Sequence, residues 1–286
     1  MINKKLKLIL VSTPIGYLGS GKGGGVELTI LSLIKGLISL GHKIILIAPK
    51  GSKLSFKSEL LEIRLIDGID QPSWQHQKKT DPVLIPSNSV LPKLWEEVIE
   101  IANESDAVIN FSYDWLPLWL TKTQKIKIFN LISMGAESVI IKEIITEISQ
   151  LLPFQLAFHT KRQSKDYSLK TDPIIVGNGF EIRNYLFNHN ENGPLGWAGR
   201  IAPEKGLEDA VKVANELGEK LLVWGLIEDK EYASKIDNIF SKKIIEWRGF
   251  LPTNKFQKQL GRCRALINTP KWNEAYGNVI VEAMAC

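Results

Sequence analysis

Glu274 and Glu282 stand eight positions apart in Glu274-Ala-Tyr-Gly-Asn-Val-Ile-Val-Glu282, with Gly277-Asn278 between them and an apolar, helix-like run after them. An acid just before a helix N-terminus and another inside its first turns can hold the hydroxyls of a sugar-bearing nucleotide. The N–H groups at Gly277, Asn278 and Val279, which have no partner inside such a helix, would then face its phosphates. Upstream, Arg200 and Lys205 lie five positions apart in Gly199-Arg200-Ile-Ala-Pro-Glu-Lys205-Gly206. On a loop leading into a helix they can converge on a diphosphate, Arg with a planar fork and Lys with a mobile point charge. A Lys/Arg pair alone is more often part of a solvated surface. Its place in a strand–loop–helix series ahead of Glu274 and Glu282 is what gives it weight.

A second candidate is Gly16-Tyr-Leu-Gly-Ser-Gly-Lys-Gly-Gly-Gly-Val-Glu27, directly after the first apolar run. Glycines permit tight turns and close backbone approach to a phosphate or sugar. Gly16-x4-Gly21-Lys22 imitates a Walker-A loop, but Gly23 stands where a magnesium-binding hydroxyl is needed. Gly19-x-Gly21-x-x-Gly24 is a dinucleotide fingerprint that calls for an acid at the end of the second strand. That strand ends Ala48-Pro49-Lys50, where the lysine could instead meet an NADP phosphate. An NADP-linked oxidoreductase and a ligand-free glycine turn therefore stay open beside the sugar-nucleotide reading.

The elements that must position these residues alternate along all 286 positions. Apolar runs at 6–11, 43–48, 107–111, 126–132, 155–159 and 174–176 read as strands, with helices at 27–40, 91–104 and 137–151. After a polar stretch rich in Asn, Glu, Gly and Pro, strands follow at 195–198, 220–224, 244–247 and 265–269. Helices follow at 206–217, 230–240, 253–262 and 277–286. Uninterrupted apolar strands between helices indicate parallel sheets covered on both faces. The expected organisation is an α/β chain with one Rossmann-like domain over 1–184, a linker over 185–194 and a second Rossmann-like domain over 195–286. A cleft between the two would receive ligand at the strands' C-terminal ends.

Composition narrows the partners. A net charge of +5 is spread thinly and suits an anionic small molecule. No dense Lys/Arg run interleaved with aromatics suggests nucleic acid. Two cysteines and four scattered histidines propose neither a disulfide framework nor a zinc site. The N-terminal apolar run is too short for a signal peptide, and no stretch reaches the length of a membrane span. A cytoplasmic protein is expected.

These motifs together resemble GT-B glycosyltransferases of the family-4, retaining type. The glutamate pair is similar to the family's E-x7-E motif, and Gly199-Arg200 to Lys205-Gly206 to its G-R-x4-K-G loop. Gly24-Gly25-Val26-Glu27 is similar to its G-G-x-E turn, and Gly177-Asn178-Gly179-Phe180-Glu181 to the turn closing its first domain, with Gly177 for Pro and Glu181 for Asp. The segments 19–29, 110–118 and 131–135 further resemble a subfamily that glucosylates tetrahydrobiopterin from UDP-glucose.

The resemblance implies a GT-B fold and transfer of glucose from UDP-glucose to a small acceptor, without a metal and without a further cofactor. It implies that Arg200, Lys205 and Glu274 carry the chemistry. Gly24, Gly25, Phe250, Leu251, Gly277, Asn278, Val279 and Glu282 would bind the donor, with uracil near Phe250 and Leu251, ribose on Glu282 and glucose on Glu274. Glu27, Asn110, Tyr113 and Asp114 would face the acceptor. Family members often carry a histidine near Asn110, and this chain does not. The acceptor's proton would pass to the leaving phosphate. Trp115 and Trp119 could line a flat pocket or simply pack, His159 reads as structural and Cys263 as core. The resemblance also implies a further strand and closing helices after Cys286, so a truncated, less stable and less active second domain is expected.

Overall fold

The computed structural model describes residues 4–189, 192–240 and 244–286. Two units, Met1–Gly179 and Phe180–Cys286, each hold most of their contacts internally.

The first unit is built on seven strands: β1 (Lys7–Val11), β2 (Lys43–Pro49), β3 (Leu61–Ile66), β4 (Ala107–Asn110), β5 (Ile128–Ile132), β6 (Leu156–Phe158) and β7 (Ile174–Ile175). They pair in parallel in the order β3-β2-β1-β4-β5-β6-β7. The helices are α1 (Gly25–Ser39), α2 (Val90–Ile101), α3 (Trp115–Thr123), α4 (Val139–Leu151) and the short α5 (Lys161–Ser164). Because successive strand side chains point to opposite faces, β1 feeds two cores. Ile9 and Val11 join Leu91, Leu94, Trp95 and Val98 of α2, while Leu8 and Leu10 join Ile30 and Ile34 of α1. A strand buried on both faces has to be apolar at every position, and this is why the runs carried no alternation.

The second unit repeats the plan with β8 (Leu195–Ala198), β9 (Leu221–Trp224), β10 (Ile245–Gly249) and β11 (Ala265–Leu266), in the order β10-β9-β8-β11 and all parallel. On one face α6 (Leu207–Leu217) and α7 (Lys230–Ile239) bury Leu207, Val211 and Ile236 against Leu195, Trp197, Leu221 and Val223. On the other, α8 (Thr253–Leu260) and α9 (Asn278–Ala285) pack Phe256, Leu260, Val279 and Ala283 around Leu222 and Trp224.

Three elements lay outside the sequence reading: β3, α3 and the four-residue α5. β3 is a sheet-edge strand whose side chains are partly or fully exposed, so it lacks a continuous apolar signature. α3 covers the Trp-Leu-Pro-Leu-Trp run, which carries a proline; Pro117 is tolerated because it falls in the first turn, where no intrahelical N–H partner is required. Asn190 and Glu191 of the expected linker lie outside the described residues, and its start is tied to α8. There the Leu186 N–H donates to Gln257 Oε1 (3.0 Å), and Asn188 Nδ2 donates to the Gly261 carbonyl (2.6 Å). Among the described residues no helix is long and apolar enough to cross a membrane.

Candidate functional site

Parallel strands send all their C-terminal ends to one edge of a sheet. The loops after β8, β9, β10 and β11 therefore bring Arg200, Glu228, Phe250 and Glu274 to the same edge of the second unit. Two of these loops are stitched to each other. The Thr269 hydroxyl donates to the Gly206 carbonyl (2.8 Å) and accepts from the Trp197 indole N–H (3.2 Å), and the Lys271 N–H donates to the Glu204 carbonyl (2.8 Å). Gly206 sits at φ +63°, and a Cβ there would lie 2.1 Å from the Thr269 carbonyl oxygen. Only glycine accommodates both that backbone angle and that approach.

The stitching explains why Lys205 and Glu274, far apart in sequence, meet: Lys205 Nζ lies 2.6 Å from Glu274 Oε1. The same ammonium stands 4.6 Å from the centroid of the Trp272 ring, and the Trp272 indole N–H donates to Glu274 Oε1 at 2.9 Å. Burial lowers the Lys205 amine below its ordinary value, with Glu274 pulling the other way. Arg200 is held from two sides, by Glu228 (2.5 Å) and by Glu204 (3.2 Å). Two largely buried cations at one strand edge, each oriented by carboxylates, are suited to take up an anion that replaces part of that pairing.

Gly277 caps α9 in the left-handed conformation, φ +84°, and the chain enters the helix at Asn278. This leaves the first amides of α9, at Asn278 and Val279, at a helix N-terminus. Glu282 lies one turn further on, buried, and accepts a hydrogen bond from the Tyr185 hydroxyl at 3.0 Å. Burial pushes its carboxyl up to about 7, against the pull of that hydroxyl. Phe250 is exposed just after β10, and Leu251 is partly buried against the core beneath α8 and α9.

The residues expected on the acceptor side all lie near the C-terminal edge of the first unit's sheet, and each has internal partners. Glu27 is buried; its oxygens accept from the N–H groups of Gly19 (2.6 Å) and Gly23 (2.9 Å) and from the Ser20 hydroxyl (3.1 Å). The glycine loop thus wraps one of the protein's own carboxylates, Gly24 caps α1 and Gly25 begins it. Two of the amides that a dinucleotide phosphate would need are already engaged. Lys50 pairs with Asp67 (3.1 Å), and Lys22 with Asp70 (2.6 Å). Asn110 bridges the Ser112 N–H (2.9 Å) and Asn130 Oδ1 (2.9 Å). The Tyr113 hydroxyl donates to the Gly135 carbonyl (3.0 Å). Asp114 caps α3 by accepting from the Trp115 N–H (2.7 Å) and also accepts from the Trp74 indole (3.3 Å). Burial raises its carboxyl to about 6. Trp115 and Trp119 stack one turn apart along α3 at 5.8 Å.

Glu204, Glu228, Trp272 and Tyr185 escaped the sequence reading. Glu204 carried a usable signal, since it follows Arg200 by four positions on the same loop. Tyr185 and Glu228 reach their partners through tertiary contacts that no local spacing announces. Among the described residues no cluster of three His, Cys, Asp or Glu side chains is placed to hold a metal ion.

Comparison with known proteins adds the class. The family profile "Glycosyl transferases group 1" matches residues 180–286, the whole second unit. AviGT4, a glycosyltransferase involved in avilamycin A biosynthesis, superposes with a TM-score of 0.67 at 17% identity, covering 98% of this chain and 76% of that one. Sucrose-phosphate synthase from Thermosynechococcus elongatus gives 0.70 at 13% identity, covering 99% and 79%. WaaG, a glycosyltransferase involved in lipopolysaccharide biosynthesis, gives 0.64 at 13% identity, covering 98% and 78%. A search of curated proteins by sequence finds no match. The chain thus has an α/β fold of parallel sheets that matches solved GT-B glycosyltransferase structures, and its second unit is similar to the group 1 glycosyl transferase profile.

Proposed function

We propose that the protein is a retaining glycosyltransferase that moves glucose from UDP-glucose to a small acceptor, a pterin being the acceptor class to test first. The observation that carries the reading is the meeting of Lys205 with Glu274 beside the Gly277-capped start of α9, inside the segment matched by the glycosyltransferase profile. In this reading the diphosphate enters between Arg200 and Lys205 and the first amides of α9. Glu274 turns from Lys205 toward a hydroxyl of the transferring sugar, and Glu282 exchanges the Tyr185 hydroxyl for the ribose. Phe250 and Leu251 border the base.

The bond that breaks joins the anomeric carbon to the diphosphate oxygen. Arg200 and Lys205 stabilise the charge that grows on that oxygen, where fixed cations shielded from water act most strongly. The acceptor hydroxyl attacks from the same face and its proton passes to the departing phosphate, so no side-chain base is required. With both counter-charges supplied by side chains, the reading calls for no metal. The acceptor side is assigned to the first unit's strand-end loops, where Glu27, Asn110, Tyr113 and Asp114 act by holding loop shape.

The test is turnover. UDP-glucose and tetrahydrobiopterin incubated with the protein should release UDP and give a glucoside with the donor's anomeric configuration, read by proton NMR. Tight UDP binding without UDP release in the presence of any acceptor would replace the enzyme reading with a nucleotide-sugar-binding protein.

A further inference from the structure

We infer that Trp272 is a positioning residue that fixes the Lys205–Glu274 pair, holding the ammonium on its ring face and the carboxylate on its indole N–H. This inference rests on the proposed function for its catalytic consequence but not for its geometry. One Glu274 oxygen, Oε1, takes both the Lys205 ammonium (2.6 Å) and the Trp272 N–H (2.9 Å). The ring lies under the same ammonium at 4.6 Å. Three side chains therefore close a triangle in which each touches the other two. A cation held between a π face and a carboxylate cannot swing away with either one alone. A carboxylate oxygen shared by two donors keeps its plane when one of them is drawn to an incoming anion.

The triangle anticipates a sequence of events during binding. When a diphosphate draws the Lys205 ammonium toward itself, Glu274 retains the Trp272 N–H on Oε1 as it turns, which leaves the carboxylate's remaining acceptor capacity for a sugar hydroxyl. Trp272 follows the short β11 by a few residues, outside any helix or strand, so its side chain rather than its backbone carries this order. Its ring face would act on binding and its N–H on the transfer step, and this separates it from a tryptophan that merely packs.

The experiment compares Trp272→Phe, which keeps a ring face and loses the N–H, with Trp272→Leu, which loses both. The first readout needs no ligand: the rate at which acetic anhydride labels Lys205 in the free protein, followed by peptide mass spectrometry. Trp272→Leu should label about fivefold faster or more, and Trp272→Phe within about twofold of the parent, since a cation–π contact at the weaker end of its usual range already accounts for a factor of that order. The second readout is UDP affinity and transfer kinetics. Trp272→Phe should keep UDP affinity within about twofold and lose about tenfold in kcat, the scale of one hydrogen bond to a charged group. Trp272→Leu should lose both.

Equal labelling in all three proteins would overturn the positioning role. So would parallel losses of affinity, kcat and melting temperature in the two variants, which describe simple packing. Should the parent protein fail to bind UDP at all, the functional reading falls, while the labelling comparison still decides the role of Trp272.

Discussion

Glu282→Gln should stabilise the second unit at pH 8 and leave it nearly unchanged at pH 5. Glu282 is buried on α9, and burial lifts its carboxyl from 4.5 to about 7. In the unfolded chain the group ionises near its ordinary value. Between roughly pH 4.5 and 7 the native state therefore binds more protons than the unfolded state, so this residue's contribution is present at low pH and lost as pH rises through 7. At 1.36 kcal/mol per unit the full shift is worth about 3 kcal/mol. Water reaching the site and relaxation around the carboxylate reduce this, and we expect about 1–2 kcal/mol. Glutamine can still accept from the Tyr185 hydroxyl, which stands 3.0 Å from Glu282 Oε1. It cannot ionise, so it escapes the loss. Asp114, also raised, is common to both proteins and cancels in the difference.

The assay is hydrogen exchange of the buried strands β8 and β9 in urea, which reads the second unit alone, at pH 5 and pH 8. The free energy of opening should favour the glutamine variant by about 1–2 kcal/mol more at pH 8 than at pH 5. A difference of the same size at both values, or a parent protein that gains stability toward pH 8 relative to the variant, would refute the buried-carboxyl argument.

Three further outcomes follow from the geometry. Gly206→Ala places a Cβ 2.1 Å from the Thr269 carbonyl at a positive φ; it should destabilise the second unit by about 2 kcal/mol or more and increase Lys205 labelling, and a variant as stable as the parent would show that the loops yield freely. Glu27→Ala removes the acceptor of three loop donors and should cost about 1–3 kcal/mol while opening residues 19–25 to limited proteolysis; Glu27→Gln should recover part of both effects. Lys205→Ala leaves Glu274 with the Trp272 N–H alone and should weaken UDP binding about tenfold or more, the scale of one charge-assisted contact.

Much of the fold was legible because its central strands, such as β1, β2, β8 and β9, are buried on both faces. A run such as Leu6-Lys-Leu-Ile-Leu-Val11 has few other places to go. β3 was hidden because edge position relaxes that demand, and α3 because a proline in an apolar run reads as a break until its place in the first turn is known. At the candidate site, residue types and spacing singled out Arg200, Lys205, Glu274 and Glu282 because the cation pair and the acid pair fall in one strand–loop–helix series. Their partners could not be read the same way. Trp272 meets Lys205 only because Thr269 and Lys271 stitch one loop to the other, and Tyr185 meets Glu282 from the start of the second unit. The glycine loop illustrates the limit from the other side. Its glycines fitted three ligand chemistries on paper, and the structure fills it with Glu27.

If the second unit takes a uridine diphosphate as proposed, calorimetric titration of the protein with UDP, GDP and NADPH will show it. UDP binding should exceed GDP binding, weaken in Lys205→Ala and in Glu282→Ala, and have no counterpart with NADPH. Binding of NADPH with none of UDP would contradict it.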